Sequence, residues 1–318
     1  MLASLTEDYD GAFRCPRTAN ALRLNRDRLV AGSFTRGTAC SYPIVSGLPV
    51  LVDFDRSVLD RETTMRRVAK SMVERPEYTG LSAFVKQLLS PQKSTTRGNI
   101  RKILAMLDQS DRDWKVLVVG GGSIGQGMRP LYEHPKVKIF AFDIYSSRNV
   151  QFVADAHNIP LADELFDAVI VQAVLEHVLQ PDKVVSEIWR VLKPDGIVYA
   201  ETPFMQQVHE GAYDFTRFTQ SGHRYLFRRF GEIASGPSGG PGLQLMWTAD
   251  YFCRSLFRSK RMGKIAKALV FWAQYLDDLI PPAYASDAAS GVYFLGSKST
   301  REITPREIIA YYAGAQHG

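Results

Sequence analysis

The chain is poor in cysteine and in uninterrupted apolar sequence, and both shortages narrow what it can be. Three cysteines in 318 residues, Cys15, Cys40 and Cys253, are too few and too scattered for a disulfide framework. They fit a reducing compartment, with the cytoplasm as the expected address. No uncharged apolar run approaches the roughly 18 residues that a spanning helix requires. The opening MLASLTEDYDGAF has early acids and no apolar signal core, so a soluble protein is expected. A strong charge of one sign is also missing. Lys and Arg number 39 against 33 Asp and Glu, a net +6 that mildly favours an anionic partner and falls short of a nucleic-acid tail. Repeats and low-complexity tracts are absent. What remains is ordinary globular material, 45% hydrophobic and 23% charged, enough for one large or two modest domains.

Three regions follow one another. Residues 1–56 read as a small β-rich unit: LRLNRDRLVAG has the form of a hairpin, and CSYPIVSGLPVLVDF alternates around Pro43, Gly47 and Pro49. Residues 57–110 change to helical spacing (Val58, Met65, Val68, Met72; then Leu81, Phe84, Val85, Leu88, Leu89), interrupted at Pro76, Gly80 and SPQKSTTRGN, which reads as a helical connector with a loop. From Trp114 the pattern becomes regular. KVLVVGG, KIFAFD, FDAVIVQ and GIVYAET are strands separated by helical stretches such as Asp182 to Leu192, the signature of βαβ units on a parallel sheet. The domain is expected to run over residues 111–300, with a helical insertion at about 245–282, a last strand in GVYFLGSKS and a tail at 301–318.

VLVVGGGSIGQGM places Gly120, Gly121, Gly122, Gly125 and Gly127 between a strand and a helix, where a backbone without Cβ atoms lets a nucleotide approach closely. By itself such a turn also serves to pack a helix on a strand. The second strand is more discriminating: it ends at Asp143, about twenty residues on, where a carboxylate accepts from both hydroxyls of a ribose. A third short element, QFVADAHNIPL, puts Asp155 and the Ala156 backbone in position for an adenine edge.

These segments, with FDAVIVQAVLEHV and EIWRVLKPDGIVYAETP in the same order, resemble the core of class I S-adenosylmethionine (SAM)-dependent methyltransferases, the broad group that includes the ubiquinone and menaquinone biosynthesis enzymes. The likeness covers residues 114–202. It implies an α/β fold with a Rossmann-like doubly wound sheet and S-adenosyl-L-methionine as cofactor. Carried over residue by residue, cofactor binding falls on Gly120, Gly121, Gly122, Gly125, Asp143, Ile144, Asp155, Ala156 and Gln172. Val118 departs from the pattern, since the family usually has an acid there that helps to orient the SAM amino group.

Methyl transfer is an in-line displacement, so the enzyme mainly positions the nucleophile and supplies a base where the acceptor loses a proton. The expected candidates follow the fourth and fifth strands: His177 beside Glu176 in LEHV, then His209, Tyr213 and His223 in a loop that also carries Glu210, Asp214 and Arg217. His209 is the first choice as base. Asp214 and Arg217 also suit a structural ion pair at helical spacing. Phe204, Tyr213, Phe215 and Phe218 interleave with these polar groups, as an apolar acceptor pocket requires. HEGAYDFTRFT resembles segments common in methyltransferases of sugar pathways.

The N-terminal module resembles small zinc-ribbon activators of methyltransferases, in a degenerate form. Cys15 is followed by Pro16, Arg17 and Thr18, and Cys40 stands alone, so no metal is expected. FRSKRMGKIAKALVFWAQYLDDLI is a basic amphipathic stretch; a helix that packs Ile265, Leu269, Trp272, Leu276 and Ile280 on the sheet is favoured over one lying on an anionic membrane. The expected function is methylation of an O, N or C nucleophile on a small or medium-sized acceptor: a natural product, a sugar-containing molecule or a lipid-like molecule. The alternatives are an enzyme acting on RNA or protein, and a non-catalytic SAM-binding subunit. No asparagine- or aspartate-proline-proline-tyrosine tetrapeptide follows the fourth strand, which disfavours base methylation. The expected partners are the small acceptor, a peripheral membrane or lipid-like acceptor and a second copy in a homodimer, with no nucleic acid favoured.

Overall fold

The computed structural model describes residues 11–31, 40–70, 94–109 and 111–316. Expectations for residues 1–10, 32–39 and 71–93, including the helical spacing of Met72, Leu81, Phe84, Val85, Leu88 and Leu89, lie outside the described residues. The chain divides into two units, residues 1–76, 102–172 and 180–198 in the first and residues 77–101, 173–179 and 199–318 in the second.

In the first unit, β5 (Trp114–Val119), β6 (Val137–Asp143), β7 (Phe152–Ala154) and β8 (Phe166–Gln172) run parallel in the order β7-β6-β5-β8. The first half of β9 (Leu192–Pro203) follows β8. These strands are nearly continuous apolar runs because both faces are covered: Val116, Leu117, Ile139, Phe140, Val169 and Val171 are all buried. The short helix α3 (Arg129–Glu133) follows the glycine turn, and helix α4 (Pro181–Val191) buries the stripe Val184, Val185, Ile188 and Val191. Asp167, at the start of β8, accepts from Arg112, Lys193 and the Lys115 amide at 2.6 to 2.9 Å. That anchor holds its carboxyl below the usual range despite burial.

Four N-terminal strands belong to the same unit: β1 (Leu22–Asn25), β2 (Arg28–Ala31), β3 (Cys40–Val45) and β4 (Leu48–Leu51), each antiparallel to the next. Ser46 and Gly47, both at positive φ (51° and 80°), form the tight turn between β3 and β4. β4 then pairs in parallel with β7, Val50 opposite Val153 and Leu51 opposite Ala154, so the module adds its strands to the sheet edge. Val50, Val52 and Val68 share a buried cluster with Val153, Val68 coming from helix α1 (Arg61–Lys70). Cys15 is buried with its Sγ 3.2 Å from the Tyr42 hydroxyl, and all three cysteines are free thiols.

The second unit holds the end of β9, then β11 (Gly291–Lys298) and β10 (Phe230–Pro237), the last two antiparallel. Phe227 stacks on Phe294 at 5.0 Å between centroids and meets Phe230 edge-on. Helix α2 (Ser94–Asp108) begins in this unit, and Thr96 donates to the buried Glu201 on β9 at 2.5 Å. Tyr199 donates to the same carboxylate. Helices α6 (Pro241–Leu256) and α7 (Lys260–Leu269) and the 3-10 segment Phe271–Leu279 pack on one another. Asp277 accepts from the Gly242 and Leu243 amides (2.6 and 3.1 Å), closing the open N-terminus of α6. Among the described residues no helix is long and apolar enough to cross a membrane.

Candidate functional site

Strand order locates the first cluster. β5 lies between β6 and β8, so the chain leaves β5 to one side and later resumes on the other, and a crevice opens at the carboxyl ends where that direction changes. Gly120 follows β5 at φ 73°, a left-handed conformation that favours glycine. Asp143 closes β6 and reaches across: its Oδ2 accepts from the Gly122 amide at 2.8 Å and its Oδ1 from the Tyr145 amide at 3.2 Å. A Cβ on Gly122 would lie 2.6 Å from that carboxylate, and one on Gly125 would overlap Gln172 Oε1. The loop, the acid and the amide are thus fitted to one another through missing side chains. Val118 is buried in β5 between Ala141 and Ile170 and offers no charge.

Asp155 caps the 3-10 turn Ala156–Asn158. Its Oδ1 accepts from the His157 amide at 2.9 Å and pairs with His157 Nδ1 at 2.6 Å, while the Ser57 hydroxyl donates to Oδ2. Those hydrogen bonds outweigh burial and hold the carboxyl below its ordinary value. Ala156 is buried in the turn and Ile144 is half-buried after β6. The structure therefore brings the glycines, Asp143 and Gln172 into one constellation, with Asp155 just past the end of β7, the strand beyond β6. Sequence reasoning missed Ser57 and His157 as braces of Asp155: Ser57 is about a hundred residues away, and His157, though inside QFVADAHNIPL, carries no local sign of the contact.

A second cluster lies wholly in the second unit. Ala173, directly after β8, adopts φ 53° and reverses the chain into the 3-10 turn Leu175–His177. Glu176 is fully buried, His177 Nδ1 lies 2.7 Å from the Tyr213 carbonyl, and its Nε2 lies 3.6 Å from Glu176 Oε1. Burial pushes the His177 pKa down. The rings of His177 and His209 meet edge-on, 4.9 Å apart. Glu176, His177 and His209 each place a polar atom within 4.8 Å of the others, close enough to hold a divalent cation. Glu176 was legible only as a possible helix brace, and its burial carries no sequence signal.

Asp214 organises the loop. It accepts from Arg217 through both guanidinium arms, from the His209 amide at 2.9 Å, and lies 3.3 Å from His209 Nδ1. Arg217 also donates to the carbonyls of Gln206 and Gln207, tying the two ends of the loop together. The Arg217 guanidinium holds the Asp214 carboxyl far below the usual range. The expected ion pair exists, but on an extended segment after the 3-10 turn Gly211–Tyr213 and not on a helix. Tyr213 enters through its carbonyl, its side chain being exposed. His223 is placed differently. It is 1% exposed on helix α5 (Gln220–Leu226), flanked by Phe218 and Phe227, and burial pushes its pKa down to about 3. That environment makes it a packing residue of the aromatic core.

Residues 119–200 match the sequence model described as a methyltransferase domain. A demethylmenaquinone methyltransferase of Clavibacter sepedonicus is 46% identical over 69 residues, 20% of this chain and 28% of that protein; the chain thus matches less than a third of the relative's length. Among solved structures, phosphoethanolamine N-methyltransferase 2 of Haemonchus contortus is similar at 18% identity and TM-score 0.41, over 72% of this chain and 60% of that one. The [4+2]-cyclase SpnF is similar at 15% identity and TM-score 0.38, over 68% of this chain and 94% of that one. The domain's boundaries enclose the glycine turn, Asp143, Asp155, Gln172 and His177, and exclude His209, Tyr213 and His223.

Proposed function

We propose that the chain is a SAM-dependent methyltransferase acting on an oxygen, nitrogen or carbon nucleophile of a small or medium-sized acceptor. The observation that carries this reading is the mutual fit of the glycine turn, Asp143 and Gln172 at the carboxyl ends of the strands, where sheets of this kind take nucleotides and where missing Cβ atoms let both side chains close on the loop. SAM supplies a methyl group on a sulfonium, whose displacement leaves a neutral thioether. Asp143 accepts from the ribose hydroxyls in place of its present amide partners. The backbone at Asp155 and Ala156 meets the adenine edge, held still by Ser57 and His157. The proton that an oxygen or nitrogen acceptor loses passes to His209 Nε2, with the Asp214 carboxylate stabilising the opposite Nδ1–H. The amino group of SAM needs an acceptor other than Val118.

Isothermal titration tests this. SAM and S-adenosylhomocysteine should bind far more tightly than NAD, and Asp143→Ala should weaken SAM about a hundredfold, the loss of two charge-assisted hydrogen bonds. Preference for NAD, or unchanged SAM affinity in a folded D143A variant, refutes the assignment.

A further inference from the structure

The helical layer of the second unit does not bury its apolar face. The amphipathic stretch is expected to pack that face on the sheet, yet Ile265, Leu269, Trp272 and Leu276 are all exposed, Leu269 by 71% and Trp272 by 54%. The neighbouring helix adds Phe252 at 64% and Leu256 at 62%. A monomer in water rarely displays so many large apolar side chains on adjoining elements without a use for them. The reason they stay outside lies in the crossing of the helices: Gly263 of α7 sits against Asp250 of α6, and Gly242 sits against the backbone of Ala273, so small residues and backbone form the internal contacts. The large side chains are left on the outer surface.

Charge identifies what covers them. From Tyr251 to Leu276 the sequence has six Lys and Arg and no Asp or Glu, in a chain whose whole net charge is +6. Arg254 pairs with Asp250, and Lys267 is half-buried with its pKa pushed down by burial. Arg258, Lys260, Arg261 and Lys264 are exposed and make no ion pair with a described residue. A second copy placed on the same patch would set this basic segment against itself. Nucleic acid would use the basic groups but not the aliphatic ones. An anionic bilayer uses both, taking Leu and Phe into the acyl boundary, Trp at the headgroup level and Lys and Arg against the phosphates.

We propose that α6, α7 and the 3-10 segment that follows form a platform on which the protein sits, in the plane of the interface, on an anionic membrane. The platform inserts nothing across the bilayer, and the docking stands independently of methyl transfer.

Co-sedimentation of the full chain with vesicles tests it. Vesicles of phosphatidylglycerol and phosphatidylcholine should retain the protein, vesicles of phosphatidylcholine alone should retain little, and raised salt should release it. K260E/R261E/K264E should weaken retention about a hundredfold or more, and L269S/W272S about tenfold. All five substituted residues are surface-exposed, so both variants should melt with the wild type. Trp272 fluorescence should shift to the blue on adding anionic vesicles and be unchanged by neutral ones. Absence of retention by anionic vesicles, or retention unaltered by charge reversal and salt, overturns the proposal. A vesicle-free dimer that L269S/W272S dissociates assigns the patch to a second copy and overturns it equally.

Discussion

The strand-end cluster of the first unit and the loop cluster of the second are built by different means. At the strand ends the decisive groups are backbone amides and absent side chains: Gly122 and Gly125 leave room, and Asp143 is aimed by the last turn of its own strand. Around His209 the decisive groups are side chains that hold one another, with Asp214 and Arg217 knotting a stretch that has no regular structure of its own. The first kind of site is specified by the fold and suits a constant ligand. The second is specified by a few polar contacts, which lets it vary while the fold stays fixed.

If the strand ends bind cofactor and the loop reacts, the two should separate in kinetics. The largest effect is expected for His209→Ala, which should lower kcat by about a hundredfold to ten-thousandfold while SAM affinity is kept. A variant that turns over normally removes His209 as base. Asp214→Asn keeps the shape but loses the charge that steadies the imidazolium, so a fall in kcat of about tenfold is expected, again with SAM affinity unaltered; a matching loss of SAM affinity would erase the distinction between the clusters. On the other side, Ser57→Ala frees one oxygen of Asp155 and should weaken SAM by a few-fold with kcat preserved at saturation.

The smallest effect at neutral pH is expected for His223→Phe, which keeps a ring between Phe218 and Phe227. Its difference emerges in acid. The folded pKa near about 3 lies below the ordinary 6.5, so the unfolded chain binds a proton that the folded chain refuses, and stability falls as pH drops from 6.5 toward 3. H223F should lose that part of the slope, read as melting temperature against pH. The Asp214 carboxyl, also held low, gives a loss confined to more acid conditions, below the usual carboxylate range, and both proteins should keep it.

How much of this could be read beforehand follows the same division. β5, β6 and β8 were legible because buried parallel strands are unbroken apolar runs, and Gly120 to Gly125 because a turn at a strand end has no substitute for glycine. Asp143 followed from spacing alone. The β4–β7 pairing was not legible, since Leu48–Leu51 and Phe152–Ala154 each look like any short strand and nothing local names the partner. Nor was the burial of Glu176 and His223, because a charged or titratable residue in a loop and one in a core are the same letter. The amphipathic helix misled for a related reason: periodicity reports that one face is apolar, and is silent on whether protein or something else covers it.

The parallel pairing of β4 with β7 also has a consequence in time. Val50 and Val153 are separated by roughly a hundred residues, and closing so long a loop is entropically expensive before it is rewarded. The N-terminal hairpins are made before the parallel strands, yet the outer edge of β4 has no neighbour until β7 has been made. During synthesis that edge is a bare row of amides and carbonyls, and the step that covers it also brings Ser57 to Asp155. Completion of the Asp155 turn is thereby tied to a late folding event of a segment made well before it.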